Sequence, residues 1–323
     1  MDPTMTATPA GRLETEHLDM IYDMKMDYHS KRIATCSGDR SVRIYEAKTK
    51  GDATTPGALI ACLPVPCDGP VWRMAWSHPK FNVLAASTQC GKIVFFRNRA
   101  PVAAPEDWVQ FHVHTPHTSS INAIDFAPHE YGLMLASASA DGTVAVLTMT
   151  REGWVTTSHF HDNDVGCMAL SWAPYNSLGG QGHKRLVVGG CDSLVKIWTL
   201  SDADSSRTWQ RIEELPPLHG DWVRDVLWAP SAGMPCNTIA SCSDDHTVAV
   251  WTQSTAGGPW SSVVLPTFKS PVFRLSWSIT GNILSVAAGE DHVSLWKESN
   301  GTWRQLSSLQ EGSASINPPT HMQ

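Results

Sequence analysis

The stretch TIASCSDDHTVAVW, residues 238–251, is a short apolar strand, a run of small residues, an acidic turn and a second β-branched strand ending on tryptophan. Outward from it the same pattern recurs five times: RIATCSGDRSVRIY (32–45), VLAASTQCGKIVFF (83–96), MLASASADGTVAVL (134–147), RLVVGGCDSLVKIW (185–198) and ILSVAAGEDHVSLW (283–296). The closing residues Tyr45, Phe96, Leu147, Trp198, Trp251 and Trp296 are spaced by 51, 51, 51, 53 and 45 positions. Self-similarity at such a period marks a repeat architecture, in which each unit covers its apolar faces with its neighbours.

A further strand precedes each pair: MIYDMKMDYH (20–29), PVWRMAWSHP (70–79), SINAIDFAPH (120–129), CMALSWAPYN (167–176), WVRDVLWAPS (222–231) and PVFRLSWSIT (271–280). Apolar residues occupy both parities of these strands, as expected where both faces of a sheet are covered. Most are followed by Ala-Pro or Ser-His-Pro, which ends the strand and begins a turn. A fourth strand follows each pair, opened by Trp108, Trp154, Trp209, Trp260 or Trp303, with ALIACLPV (58–65) in that place in the first unit. Four strands in each of six units predict an all-β propeller of six four-stranded blades. The fourteen tryptophans then serve as bulky fillers between twisted blades.

The units resemble the WD repeat, which has a histidine before the first strand, an aspartate in the turn after the second and a tryptophan ending the third. The fifth unit keeps the whole network as His219, Ser241, Asp245 and Trp251. Asp39, Asp141 and Asp192 hold the turn elsewhere, and His117 takes the histidine place in the third unit. Cys90 and Glu290 stand where the second and sixth units should carry aspartate, and are expected to weaken the networks of their blades.

Chemistry has few candidates. His112, His114 and His117 could meet on alternate strand positions, but His117 already has the repeat's structural role and no cysteine or carboxylate completes a metal site. His159 and His161, with Asp162 and Asp164, read as a solvated loop between blades. Gly189-Gly190 falls inside a strand, which rules out a phosphate-cradling turn before a helix. No serine sits in a G-x-S-x-G elbow, and the pairs Glu213-Glu214 and Asp244-Asp245 would point to opposite strand faces. The expectation is a non-enzymatic chain with no catalytic, cofactor or metal residues. A net charge of −7 without a Lys- or Arg-rich stretch also argues against nucleic-acid binding. The eight cysteines show no CxxC pair, and Cys36, Cys167, Cys191 and Cys242 are expected to be buried and reduced. No apolar run reaches signal-peptide or membrane-spanning length, so neither secretion nor a membrane span is expected.

Beyond the generic repeat positions, five stretches are similar to one WD-repeat family. They are HLDMIYDMKMDYHSKRIATCSGDRSVRIYE (17–46), GPVWRMAWSHPKFNVLAAS (69–87), APHEYGLMLASASADG (127–142), DWVRDVLWAPSAGMPCNTIASCSDD (221–245) and SWSITGNILSVAAGEDHVSLWKES (276–299). They resemble the small propeller subunit of the COPII outer coat, which is shared with the Y-shaped scaffold of the nuclear pore. The resemblance runs from about residue 13 to about 308 and is weakest near 50–57 and 176–184. It implies a structural scaffold in vesicle budding from the endoplasmic reticulum. The implied partners are the large WD-repeat and α-solenoid outer-coat subunit of COPII, the α-solenoid nucleoporin of the Y-shaped complex, and subunits of a coat-like nutrient-signalling complex. It further implies a cytoplasmic protein, peripheral on ER exit sites and COPII vesicles and at the nuclear envelope, with membrane contact only through the coat. Two alternatives are a paralogous pore-scaffold propeller and a ubiquitin-ligase substrate receptor. The second is disfavoured because the residues after the third strands, such as those following Trp198 and Trp251, lack the Trp-Asp-x-Arg sequence common in such receptors.

The strand count leaves the ring open. TWRQLSSL (302–309) already completes the sixth blade, so no terminal segment fastens it to the first. In WD order, GRLETE (11–16) belongs to the outer edge of the final blade, which leaves a seventh blade lacking its three inner strands. The domain expectation is therefore a lead-in over 1–16 that can supply that outer strand, a propeller over 17–309 and a disordered tail over 310–323. A partner supplies the missing strands in trans, between Ile21, Tyr22 and Met24 of blade one and Val272, Phe273, Leu275 and Trp277 of blade six. The family resemblance implies the same inserted blade.

Overall fold

The β-branched and aromatic runs form strands because a pleated, two-sided surface suits their stiff side chains. The computed structural model describes residues 13–47, 57–100, 106–175, 177–179, 182–201, 208–231, 236–289, 292–299 and 301–310. These residues form six separate four-stranded sheets, each an antiparallel meander of four consecutive strands. The innermost strands are Ile21–Met26, Val71–Trp76, Ile121–Phe126, Cys167–Trp172, Val223–Trp228 and Val272–Trp277. They surround a central cavity of about 430 Å³. The expected sixth-blade strand ends one residue later than its reading, at Gln310, and the tail from 311 lies outside the described residues.

The turns follow local chemistry. At Asp141-Gly142 the aspartate accepts the Thr143 N–H at 3.0 Å, and Gly142 has φ of +80°. A Cβ there would stand 1.9 Å from the Asn163 carbonyl oxygen, so glycine is required both for its backbone angle and for space.

The core lies between blades. One apolar cluster fills each junction: Ile44 and Leu63 against Val71 and Phe96 between blades one and two, and Val83 and Phe95 against Leu135 and Trp154 between two and three. Val146 meets Leu186 and Trp198, Ile197 meets Val226 and Trp251, and Val250 meets Leu284 and Trp296 at the next three. Phe95 is fully buried and stacks on Trp154 with ring centroids 4.2 Å apart. Burying one such aromatic stabilises the fold by about 2–3 kcal/mol. Cys36, Cys67, Cys167 and Cys242 are buried in this packing, whereas Cys191 is only half-buried, which corrects the expectation for that thiol.

A closed ring of six blades has six junctions, and the described residues fill five. Blade six shows the consequence. Along Ile283–Ala288 burial alternates strictly, with Leu284, Val286 and Ala288 buried against blade five and Ile283, Ser285 and Ala287 only half-buried on the other face. The equivalent strands of blades two and three, Val83–Thr88 and Met134–Ser139, are buried at every position. The propeller is an open ring.

Candidate functional site

The repeat's polar network ties the residue before a blade's first strand to its second strand and the turn that follows. In blade five, His219 reaches Ser241 Oγ through Nε2 at 2.5 Å and Thr247 Oγ1 through Nδ1 at 2.9 Å. Asp245 accepts from Thr247 Oγ1 at 2.6 Å and from the Gly220 N–H at 2.7 Å. Trp251 joins by packing alone, its ring edge-on to His219 at 6.0 Å with no hydrogen bond to the indole N–H. Burial holds His219 below the ordinary histidine pKa.

The same arrangement recurs in blade three. His117 contacts Ser137 at 2.8 Å and Thr143 at 3.0 Å, so it is committed to this network rather than to His112 and His114. Burial pushes the His117 pKa down to about 4, against the pull of Asp141. Burial also acts to raise Asp141, but hydrogen bonds from Thr143 and the Thr118 N–H outweigh it and hold the carboxyl at about 2. Among the described residues no group of three His, Cys, Asp or Glu side chains is placed to hold a metal ion. In blade two, where Cys90 replaces aspartate, Thr88 closes the turn by exchanging two bonds with the main chain of Lys92. Glu290 lies outside the described residues.

Blade one carries a network that the sequence reading missed. His17 stands 2.8 Å from Asp39 and 2.9 Å from Thr35, and Ser41 donates to Asp39 at 2.6 Å. No glycine follows His17, so the His-Gly signal that exposes His219 is absent; its distance ahead of Asp39 was the only available clue. The anchor draws the lead-in across blade one. The Thr15 carbonyl accepts from Arg43 Nη1 at 2.8 Å and from Tyr45 Oη, and Arg43 also approaches Glu16 at 3.6 Å. Arg43 and Tyr45 pair with Thr35 and Ile33, on the face of blade one turned away from blade two. Residues 13–16 thus run along the uncovered face but form no strand, since a strand needs a hydrogen-bonded neighbour and none of the described residues supplies one there; 11 and 12 lie outside the described residues.

The opening therefore has two walls, and the seven residues expected to line it divide between the uncovered walls and filled junctions. Ile21 (42% exposed), Met24 (61%) and Phe273 (42%) are free of either filled junction. Tyr22 packs edge-on against Trp72 of blade two at 4.3 Å. Val272, Leu275 and Trp277 are turned into the cluster shared with blade five. These four placements correct the expectation. The cause is a β-bulge between the first and third residues of the innermost strands, which breaks simple alternation. Val293 and Leu295, which pair with Ala287 and Ser285, line the blade-six wall instead.

Comparison with known proteins agrees with this architecture. The WD domain, G-beta repeat family matches residues 9–46, 108–146, 154–199 and 212–252. The chain is 39% identical to the protein SEC13 homolog of Drosophila melanogaster over 96% of its own length and 86% of that protein. It is 40% identical to the protein transport protein sec13 of Emericella nidulans, over 91% of this chain and 96% of the relative. The chain belongs to the SEC13 family. A chain in the crystal structure of a mitotic checkpoint complex shares the fold at a TM-score of 0.68, with 19% identity over 89% of this chain and 77% of that one. At that identity the likeness concerns the propeller alone.

Proposed function

We propose that this family member is a non-enzymatic scaffold in protein transport, a structural subunit of the COPII outer coat that accepts a partner's blade in its open junction. One observation carries the reading. The face of blade six turned away from blade five presents Phe273, Ile283, Val293 and Leu295, and the chain leaves all four partly or largely exposed. A sheet face that evolved against water reads polar, and one that reads apolar is made to be covered. The lead-in already stands beside the other wall, where residues 11–16 can serve as the outermost strand of an incoming three-stranded blade.

The partner that fits is the large WD-repeat and α-solenoid outer-coat subunit, bound on the cytoplasmic surface at ER exit sites and on COPII vesicles. An α-solenoid nucleoporin, or a subunit of a coat-like nutrient-signalling complex, would use the same opening if it offers the same blade. Apolar contact with both walls, together with strand pairing between the guest and residues 11–16, would give such a joint its stiffness. Affinity capture followed by mass spectrometry tests the reading. Phe273→Glu and Met24→Glu should each lose the solenoid coat subunit, while Val263→Glu, exposed on the outermost strand of blade five, should keep it. Equal capture by all three variants would refute insertion at this junction.

A further inference from the structure

We propose that the open junction selects its guest through the guest's innermost strand, by a hydrogen-bond rule that the filled junctions repeat; this rests on the reading that a partner's blade enters there. Let Ile21, Val71, Ile121, Cys167, Val223 and Val272 each be position one of its innermost strand. At four junctions a side-chain oxygen at position three or five accepts the main-chain N–H one position further along in the following blade. Asp23 accepts from Met74 at 2.9 Å and Asp125 from Trp172 at 3.1 Å. Ser171 accepts from Trp228 at 3.2 Å and Asp225 from Leu275 at 3.0 Å. The junction between blades two and three differs because Arg73 and Ala75 occupy those positions. There Arg73 Nε donates to the position-two carbonyl of the next blade, Asn122, at 2.9 Å.

Blade six carries both devices, and neither meets a following blade of the regular kind. Ser276, at position five, is exposed, and its hydroxyl has no hydrogen-bond partner among the described residues. Arg274, at position three, makes the arginine contact with blade one: Nη2 lies 3.3 Å from the position-two carbonyl of Tyr22 and 3.3 Å from the Asp23 carboxylate. The inner rim of the empty junction is thus held by a contact of the kind used where two blades are packed together. An entering blade must draw Arg274 onto its own position-two carbonyl and present its position-six N–H to Ser276. On its far side it meets the N–H groups of Met24 and Met26, at positions four and six. The rule followed at four of five junctions then gives the guest an Asp, Ser or Thr at position three or five. Arg274 is both the latch of the empty junction and a ligand of the filled one.

The test measures association and dissociation of the full chain with one probe, the blade-bearing segment of the large outer-coat subunit. Ser276→Ala should weaken binding about five-fold, the size of one net hydrogen bond, through faster dissociation, and Ser276→Thr should restore it. Arg274→Ala should associate faster, because the rim is unlatched, and also dissociate faster, because the guest loses its donor. Both side chains lie outside the apolar clusters, and unchanged thermal melting of the variants will show that the blades stay intact. Wild-type rates in both Ser276→Ala and Arg274→Ala would overturn the rule while leaving blade insertion standing. No binding of the probe to the unaltered chain would overturn insertion, and the rule with it.

Discussion

Leu284 and Leu295 sit on adjacent strands of blade six but face opposite ways, so truncating each to alanine separates the covered wall from the uncovered one. Leu284 is fully buried among Val250, Leu275 and Trp296, in the cluster shared with blade five. Leu295 pairs with Ser285 on the other face and is only half-buried. Removing three buried carbons loses their transfer free energy and leaves a cavity, about 3 kcal/mol for a leucine so enclosed. For a chain of this size that corresponds to a fall of roughly 4 °C in melting temperature. Leu295→Ala gives up little that is out of water, and should cost the free chain less than about 1 kcal/mol. The order reverses in the complex. Once a guest blade covers that wall, Leu295 becomes a junction residue, and its truncation should weaken the complex by about 2 kcal/mol, or roughly 30-fold in Kd. Differential scanning fluorimetry of the free variants and titration calorimetry with the partner segment measure both effects. Equal destabilisation of the free chain by the two variants would mean that blade six is covered on both sides, and the open ring would be refuted.

Three further outcomes follow from the same structure. Because the His117 pKa is about 4 in the fold and near 6.5 when unfolded, the unfolded chain binds more protons between those values. Stability should therefore fall as pH drops through that window, by about 2 kcal/mol from pH 7.5 to pH 5; urea melts at the two pH values measure it, and His117→Asn should flatten the slope. Raising salt to about 0.5 M, where charges are screened within a few ångströms, should leave the partner complex intact on gel filtration, because the junction is apolar and main-chain bonded rather than ionic. Deleting residues 1–16, which keeps His17 but removes the Thr15 carbonyl from Arg43 and Tyr45, should weaken partner binding; unchanged affinity would show that the lead-in supplies no strand to the guest.

How much of this could be read from the sequence follows from what repeats and what does not. The blade pattern was legible because each unit restates it, down to the turn aspartates and the closing aromatic residues. The opening was legible as a strand count, since Thr302–Gln310 completes blade six from within and among the described residues no strand stands between blade six and blade one. Which side chains line the opening was not legible, and the bulge is the physical reason. Strict alternation would place Val272 and Leu275 on opposite faces, three positions apart. The register shift between Val272 and Arg274 inserts one residue, and both turn toward blade five while Phe273 is left outside. The same shift occurs in blade one between Ile21 and Asp23, where Asp23 turns to staple blade two and Met24 is left exposed. The bulge recurs in the innermost strands of blades two, three, four and five, at junctions the chain fills itself, so it belongs to the way a blade grips its neighbour. Blade six keeps that grip on blade five and carries Ser276 and Arg274 on the inner rim toward the side that is empty. A surface left open by accident of strand count would have no reason to retain junction residues on its far side.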